Sequence, residues 1–242
     1  MAQEGFLYEE NVAKFLKPIG LVPKNFVPAG AGHGQPDLML AYAKQEAGCE
    51  LKITDASAGS LVLKYNTKTK KWGFGDIKPD EKEKLFIKDL AEYVKLFDVI
   101  AKSWKGVPWK FNEHFQNLKD PRAAYTRDHK TFPEIKGSIP AEKIEQYYNR
   151  KDTYYVNIGT HGFYLFGNQN PLKLSGVPRF AQSAEAVWRA RVQAKGGGAY
   201  QFTFEMGFKV KTKSPYNIAP LRKGAGVVIQ KNEVNLTCFP KL

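Results

Sequence analysis

Two short segments constrain this chain most. Residues 36–42 (Pro-Asp-Leu-Met-Leu-Ala-Tyr) and 46–53 (Glu-Ala-Gly-Cys-Glu-Leu-Lys-Ile) read as apolar strands whose charges fall on one face. Side chains alternate between the two sides of a strand. A hairpin with its turn centred on Ala43-Lys44 sets Asp37 directly across from Glu50. Asp37, Glu50 and Lys52 then share one face, while Leu38, Leu40, Leu51 and Ile53 point to the other. The turn lacks the Asn-Gly pair that usually marks a two-residue hairpin.

Helical spacing appears first over Glu4 to Leu16, where Phe6, Val12, Ala13, Phe15 and Leu16 form an amphipathic stripe that ends at Pro18 and Gly20. The glycine-rich run that follows contains Gly30-x-Gly32-x-Gly34. A dinucleotide loop needs a strand before it and a helix after it. Here a proline and a strand follow, so the run reads as a loop beside a sheet edge. Residues 60–65 and 72–74 read as a second hairpin with a lysine-rich tip. One long helix is expected from Pro79 to about Trp104, with Leu85, Phe86, Leu90, Val94 and Phe97 at helical spacing. Acidic Asp80, Glu81 and Glu83 suit its start.

Residues 105–137 read as irregular. Ser138 is placed to cap a helix running through Tyr148, and strands are expected at 153–158 and 162–166. Farther on, Trp188, Ala190 and Val192 alternate with Arg189, Arg191 and Gln193. After Gly196-Gly-Gly198, Tyr200, Phe202, Phe204, Met206 and Phe208 alternate with Gln201, Thr203, Glu205, Gly207 and Lys209. Period two on both sides of a glycine turn predicts a long hairpin. A helical reading of 182–194 competes with it, because Ala-rich segments tolerate helix.

The balance of 37 Lys plus Arg against 24 Asp plus Glu gives a net charge of +13, which favours a polyanionic partner such as DNA. No apolar run is long enough to span a bilayer, and no basic amphipathic helix or lipidation signal points to a membrane surface. The first residues show no secretory signal pattern. Two cysteines, Cys49 and Cys238, make neither a disulfide framework nor a zinc site. A cytoplasmic protein with free thiols is expected.

Asp37 and Glu50 offer two carboxylate oxygens to a hard cation, and the backbone carbonyl of Leu51 can add a third. Mg2+ prefers such oxygen ligands and keeps several waters. It supplies much of what phosphodiester hydrolysis needs, an activated water and neutralised developing charge. The pattern Pro36-Asp37-x12-Glu50-x-Lys52 in this strand setting resembles the PD-(D/E)xK nuclease superfamily, which includes many restriction endonucleases and junction resolvases. The resemblance covers roughly residues 4–104. It implies a metal-dependent DNA endonuclease using Mg2+, with Mn2+ able to substitute, and it gives Lys52 the task of positioning the attacking water and stabilising the phosphorane. It also implies that a glutamate of the first helix completes the metal site. Glu9 is the candidate, and Glu10 competes one position round the helix.

The fold expected is α/β: a restriction-endonuclease-like mixed central sheet flanked by the helices at 4–17 and 79–104, with a β-rich C-terminal part. Residues 1–105 are expected to form the nuclease core, and 106–242 either continue that domain or append a β-rich nucleic-acid-binding lobe. Nucleic-acid contacts are expected from His33, Lys64, and the hairpin cations Arg189, Arg191, Lys209 and Lys211. A solvated loop histidine and a sheet face that merely needs polar residues are the competing readings. A junction- or flap-specific nuclease would use the same site, and a non-catalytic nucleic-acid-binding protein on the same scaffold is the alternative of another class. Many members of the superfamily dimerise to cut both strands, which leaves a homodimer open.

Overall fold

The computed structural model of the chain describes residues 2–28, 35–53, 57–112, 115, 120–219 and 234–240. In chain order the helices are α1 (Ala2–Leu16), α2 (Lys82–Tyr93), α3 (Leu96–Ser103), α4 (Pro121–Thr131), α5 (Ala141–Asn149) and α6 (Phe180–Ser183). The strands are β1 (Leu38–Tyr42), β2 (Gln45–Lys52), β3 (Ser57–Asn66), β4 (Lys71–Phe74), β5 (Ile135–Ile139), β6 (Thr153–Ile158), β7 (Gly162–Leu165), β8 (Ala184–Ala194) and β9 (Tyr200–Val210). The chain divides into two compact units, residues 1–56, 140–186 and 208–242 in the first, and 57–139 and 187–207 in the second. The expected division at residue 105 falls inside the second unit. Among the described residues no helix is long and apolar enough to cross a membrane.

The first unit holds a mixed four-stranded sheet in the order β1-β2-β6-β7. β1 and β2 are antiparallel, β2 and β6 parallel, β6 and β7 antiparallel. Parallel pairs are normally covered on both faces, and β2 shows this: Ala47 through Leu51 are all buried. Tyr8, Val12, Ala13 and Leu16 recur along one side of α1. They join one buried cluster with Leu38, Leu40, Cys49, Leu51, Tyr155 and Phe163. Both cysteines are free and buried.

The β1–β2 hairpin has the expected register, Leu38 pairing with Cys49 and Tyr42 with Gln45. The turn is Ala43-Lys44, with φ of 48° and 63°. Two consecutive positive φ values define the tight turn whose twist matches antiparallel strands, normally filled by Asn-Gly. The hairpin forms without that pair, because β1 and β2 are held by the core beneath them. The left-handed conformation is therefore imposed on two residues that disfavour it.

The second unit carries a sheet in the order β4-β3-β9-β8-β5. The alternation over 187–210 was a strand pattern after all. The competing helix is only the four residues of α6 ahead of β8. Two other expectations change here. The single helix over 79–104 is broken at Lys95, which takes φ 51°. At 3.6 residues per turn, Leu96 on an unbroken helix would face about 180° away from Ile87. The break brings Leu96 and Ile100 into the core along with Ile87, Leu90 and Ala91. These helices pack on β3 and β4, within the second unit.

The stretch 105–137 is also more ordered than its prolines imply. Asp120 caps α4 by accepting the Arg122 N–H, with Pro121 in the first turn, a helix start that the sequence does contain. Ser138 lies in β5, and α5 begins after Pro140. Trp72 organises the aromatic core of this unit, its ring centroid 5.0 Å from that of Trp104, 6.0 Å from Phe132 and 4.8 Å from Phe202.

Replacing Ala43-Lys44 by Asn-Gly relieves the imposed conformation and is expected to stabilise the chain by about 1–2 kcal/mol. A domain of this size gains roughly 2–4 °C in Tm per kcal/mol. An unchanged or lower Tm in a thermal melt would show that the turn carries no strain.

Candidate functional site

Asp37 stands one residue ahead of β1, and continuing the β1–β2 register places it opposite Glu50. Its Oδ2 accepts the Leu51 backbone N–H at 2.9 Å. The paired residues end at Leu38 and Cys49, and Pro36 lies against Gly48, so the Leu51 N–H is taken by the Asp37 side chain. Gly48 allows this close approach. A Cβ at position 48 would lie 2.6 Å from the Asp152 carbonyl oxygen and 2.8 Å from the Pro36 Cβ.

Glu50 is only 7% exposed. Its Oε1 accepts from the Lys52 ammonium, two residues along the same face of β2, and from the Tyr148 hydroxyl at 3.2 Å. Glu9 approaches from α1. Its Oε2 is buried and has no hydrogen-bond partner among the described residues. Glu10 instead pairs with Lys14 at 3.8 Å along the helix, so of the two candidates Glu9 is the one directed at the other carboxylates.

The charges of this group act on one another. Burial raises the Glu9 pKa to about 7, with the Asp37 and Glu50 carboxylates pushing the same way and Lys52 opposing. Asp37 is also raised, first by burial and then by Glu50, against Lys52, the Leu51 N–H and Lys151. Three carboxylates thus share a poorly solvated place with Lys52. Among the described residues no three His, Cys, Asp or Glu side chains are gathered as closely as in a formed metal centre. The orphaned Glu9 oxygen and the mutual repulsion nevertheless suit an added cation. All the donors are hard oxygens, which fits Mg2+ better than a thiol- or imidazole-seeking metal.

Two residues of this group carry no signal in the sequence. Tyr148 lies on the buried side of α5 with Ala141, Ile144, Glu145 and Tyr147, so its spacing reads as helix core. Lys151 follows that helix and places its ammonium over the Tyr147 ring, 4.7 Å from the centroid. Only the tertiary fold brings α5 against β6 and the Tyr148 hydroxyl to Glu50.

The expected nucleic-acid contacts fare differently. His33 lies outside the described residues. Lys64 is paired with Asp76 at 2.7 Å on an exposed surface. Arg189 and Arg191 do not form a free cationic stripe: both reach Glu205, at 2.6 and 3.2 Å. Lys211 pairs with Glu185, and Lys209 is exposed.

No family model matches the chain, and no curated protein does. Among solved structures, HhaI endonuclease in complex with DNA is similar at a TM-score of 0.36 and 11% identity, over 86% of this chain and 92% of that one. A likeness of that size carries no functional weight, and the site stands on its own residues.

The raised carboxylates set a pH dependence. An unfolded chain loses these protons near pH 4, whereas the folded chain keeps them to about pH 7 at Glu9. The folded state therefore binds more protons across that window, and its stability falls as pH rises through it. Without metal, Tm is expected to drop between pH 5 and pH 8, and Glu9→Gln should reduce the drop. Millimolar Mg2+ should raise Tm at pH 8 and do little at pH 5, where protonated carboxyls are poor ligands. A Tm profile that neither Glu9→Gln nor Mg2+ alters would remove the shared charge from the account.

Proposed function

We propose that the chain is a divalent-metal-dependent endonuclease that hydrolyses DNA phosphodiester bonds. One observation carries this reading: Glu9, Asp37, Glu50 and Lys52 act on one another's charge in a largely buried site at the end of the β1–β2 hairpin. Burying several carboxylates beside one lysine is costly unless a cation or a reaction uses them.

Asp37, Glu50 and Glu9 would hold the ion, with the Leu51 carbonyl as a further oxygen donor. A bound Mg2+ lowers the pKa of a water and polarises the phosphoryl oxygens. Lys52 supplies a fixed positive charge next to the carboxylates, suited to orienting the attacking water and stabilising charge that develops on the phosphate. Arg189, Arg191, Lys64, Lys209 and Lys211 are the cations assigned to backbone phosphates, consistent with the net charge of +13. The Glu205 carboxylate fixes the two arginines, and Arg189 uses only its Nε in doing so.

Supercoiled plasmid, linear duplex, single-stranded and branched DNA, each with Mg2+ and with EDTA, test the activity and distinguish a general from a structure-specific nuclease. Asp37→Ala and Glu50→Ala are expected to lose on the order of 10³-fold or more in rate while remaining folded, since both metal affinity and charge stabilisation go together. Lys52→Ala should keep metal and DNA binding and lose single-turnover rate. Folded Asp37→Ala and Glu50→Ala proteins that nick plasmid like the parent would sink the site. So would parent protein that cuts equally well in EDTA.

The arginine pair is tested separately. Removing both would strand the buried Glu205 charge, so the variant is Arg189→Ala/Arg191→Ala/Glu205→Gln. Its DNA affinity should fall, and its dependence on salt should flatten by about 0.9 in log–log slope per lost phosphate contact. An unchanged slope in a folded protein would assign the pair to structure alone.

A further inference from the structure

We infer that Tyr148 is a positioning residue for Glu50, holding the second carboxylate of the site in its working orientation. The inference rests on the nuclease reading for its consequences and on geometry for its substance. Tyr148 is 2% exposed and its hydroxyl donates to Glu50 Oε1 at 3.2 Å across 98 residues of sequence. A phenol buried this deeply needs a partner for its O–H. Here the partner is a carboxylate that also takes the Lys52 ammonium.

The tyrosine is itself held rigidly. Its ring stacks on Phe166 with centroids 4.7 Å apart and planes 2° from parallel. The Tyr147 ring meets it edge-on at 5.1 Å, and the Lys151 ammonium lies 5.6 Å from its centroid. The helix that carries it is tied down as well. Glu145, also buried, accepts from Arg179 Nη2 at 3.0 Å and from the Ala181 N–H at 2.9 Å. A ring stacked on Phe166 cannot swing its hydroxyl away without unstacking.

Both hydrogen bonds described for the Glu50 carboxylate fall on Oε1. Oε2 is then the oxygen available to an ion. The two donors differ in what the reaction asks of them. Lys52, as proposed, acts on water and on the phosphate, so its hold on Glu50 is given up during turnover. Tyr148 has no such second task, and its bond is the one that can persist throughout. The same stacking that makes Tyr148 look like core in the sequence makes it a fixed strut in the site. Partners of this kind behind metal-binding side chains are commonly worth 10–100-fold in affinity or activity.

Tyr148→Phe removes one oxygen and keeps the stacked ring. Three readouts separate positioning from packing. First, the side-chain carboxyl 13C resonance of Glu50, assigned by its loss in Glu50→Gln, should shift in Tyr148→Phe. It should stay in place in Tyr154→Phe, a control hydroxyl that bonds Asp152 at the surface. Second, Mn2+ binding without DNA, followed by electron paramagnetic resonance, should weaken about 10–100-fold. Third, kcat on plasmid should fall by a similar factor with KM for DNA unchanged. An unmoved Glu50 resonance, or unchanged Mn2+ binding with only a lowered Tm, overturns the inference and leaves Tyr148 as packing. If the parent protein neither binds Mn2+ nor cuts DNA, the nuclease reading fails instead, and the Glu50 resonance still decides whether Tyr148 positions it.

Discussion

The hydrogen bond from the Leu51 amide to the Asp37 carboxylate closes the open end of the β1–β2 hairpin, and the geometry of the site follows from it. The backbone pairing stops at Leu38 and Cys49, and Pro36 packs against Gly48. The Asp37 side chain takes the Leu51 donor instead. That fixes Asp37 against β2 opposite Glu50, and period two then delivers Lys52 to the same face. Gly48 is the companion constraint, since any Cβ there would collide with Pro36 and the Asp152 carbonyl. Four residues over a short hairpin thus determine where one acid can sit.

The same bond sets an energetic problem. β2 is covered on both sides because it pairs in parallel with β6, so the acid-bearing face is shielded from water. Glu9 from α1 adds a third carboxylate with one oxygen unpartnered among the described residues. Lys52 and, more weakly, Lys151 oppose the repulsion felt at Asp37, yet its pKa remains raised. A chain selected only for stability would replace this group with apolar residues, which often costs nothing or even stabilises. The proposed cation-binding role accounts for stability given up at this sheet end.

The hairpin register and the β8–β9 alternation were legible because both depend on local period and on which face is apolar. The break at Lys95 was not, because neither glycine nor proline marks it. It is imposed by the need to turn Leu96 and Ile100 inward after Ile87 and Leu90. The Asp120-Pro121 start of α4 was present in the sequence and hidden by the prolines around it. Asp37, Glu50 and Lys52 were legible as a set since they lie on adjacent strands. Tyr148 was invisible for the opposite reason: it reaches Glu50 from 98 residues away, and its spacing on α5 is that of an ordinary core aromatic.

Charge illustrates a further limit of reading by pattern. The excess of 37 basic over 24 acidic residues suggests open cationic surface, and the alternation of β8 and β9 in the sequence draws it as a stripe. In the fold, Glu205 stands among those cations at 4% exposure. It accepts from Arg189 and Arg191 and also from the Thr203 hydroxyl at 3.3 Å. A buried acid between two arginines lowers the local net charge to +1, but it also fixes two long side chains that would otherwise sample many rotamers. Arg189 meets the acid through Nε, and its side chain stays 43% exposed with its terminal nitrogens uncommitted to that bond. A planar fork held in one orientation recognises a phosphate at a smaller entropic cost than a free lysine does. The acid within the basic face therefore organises its cations as much as it neutralises them.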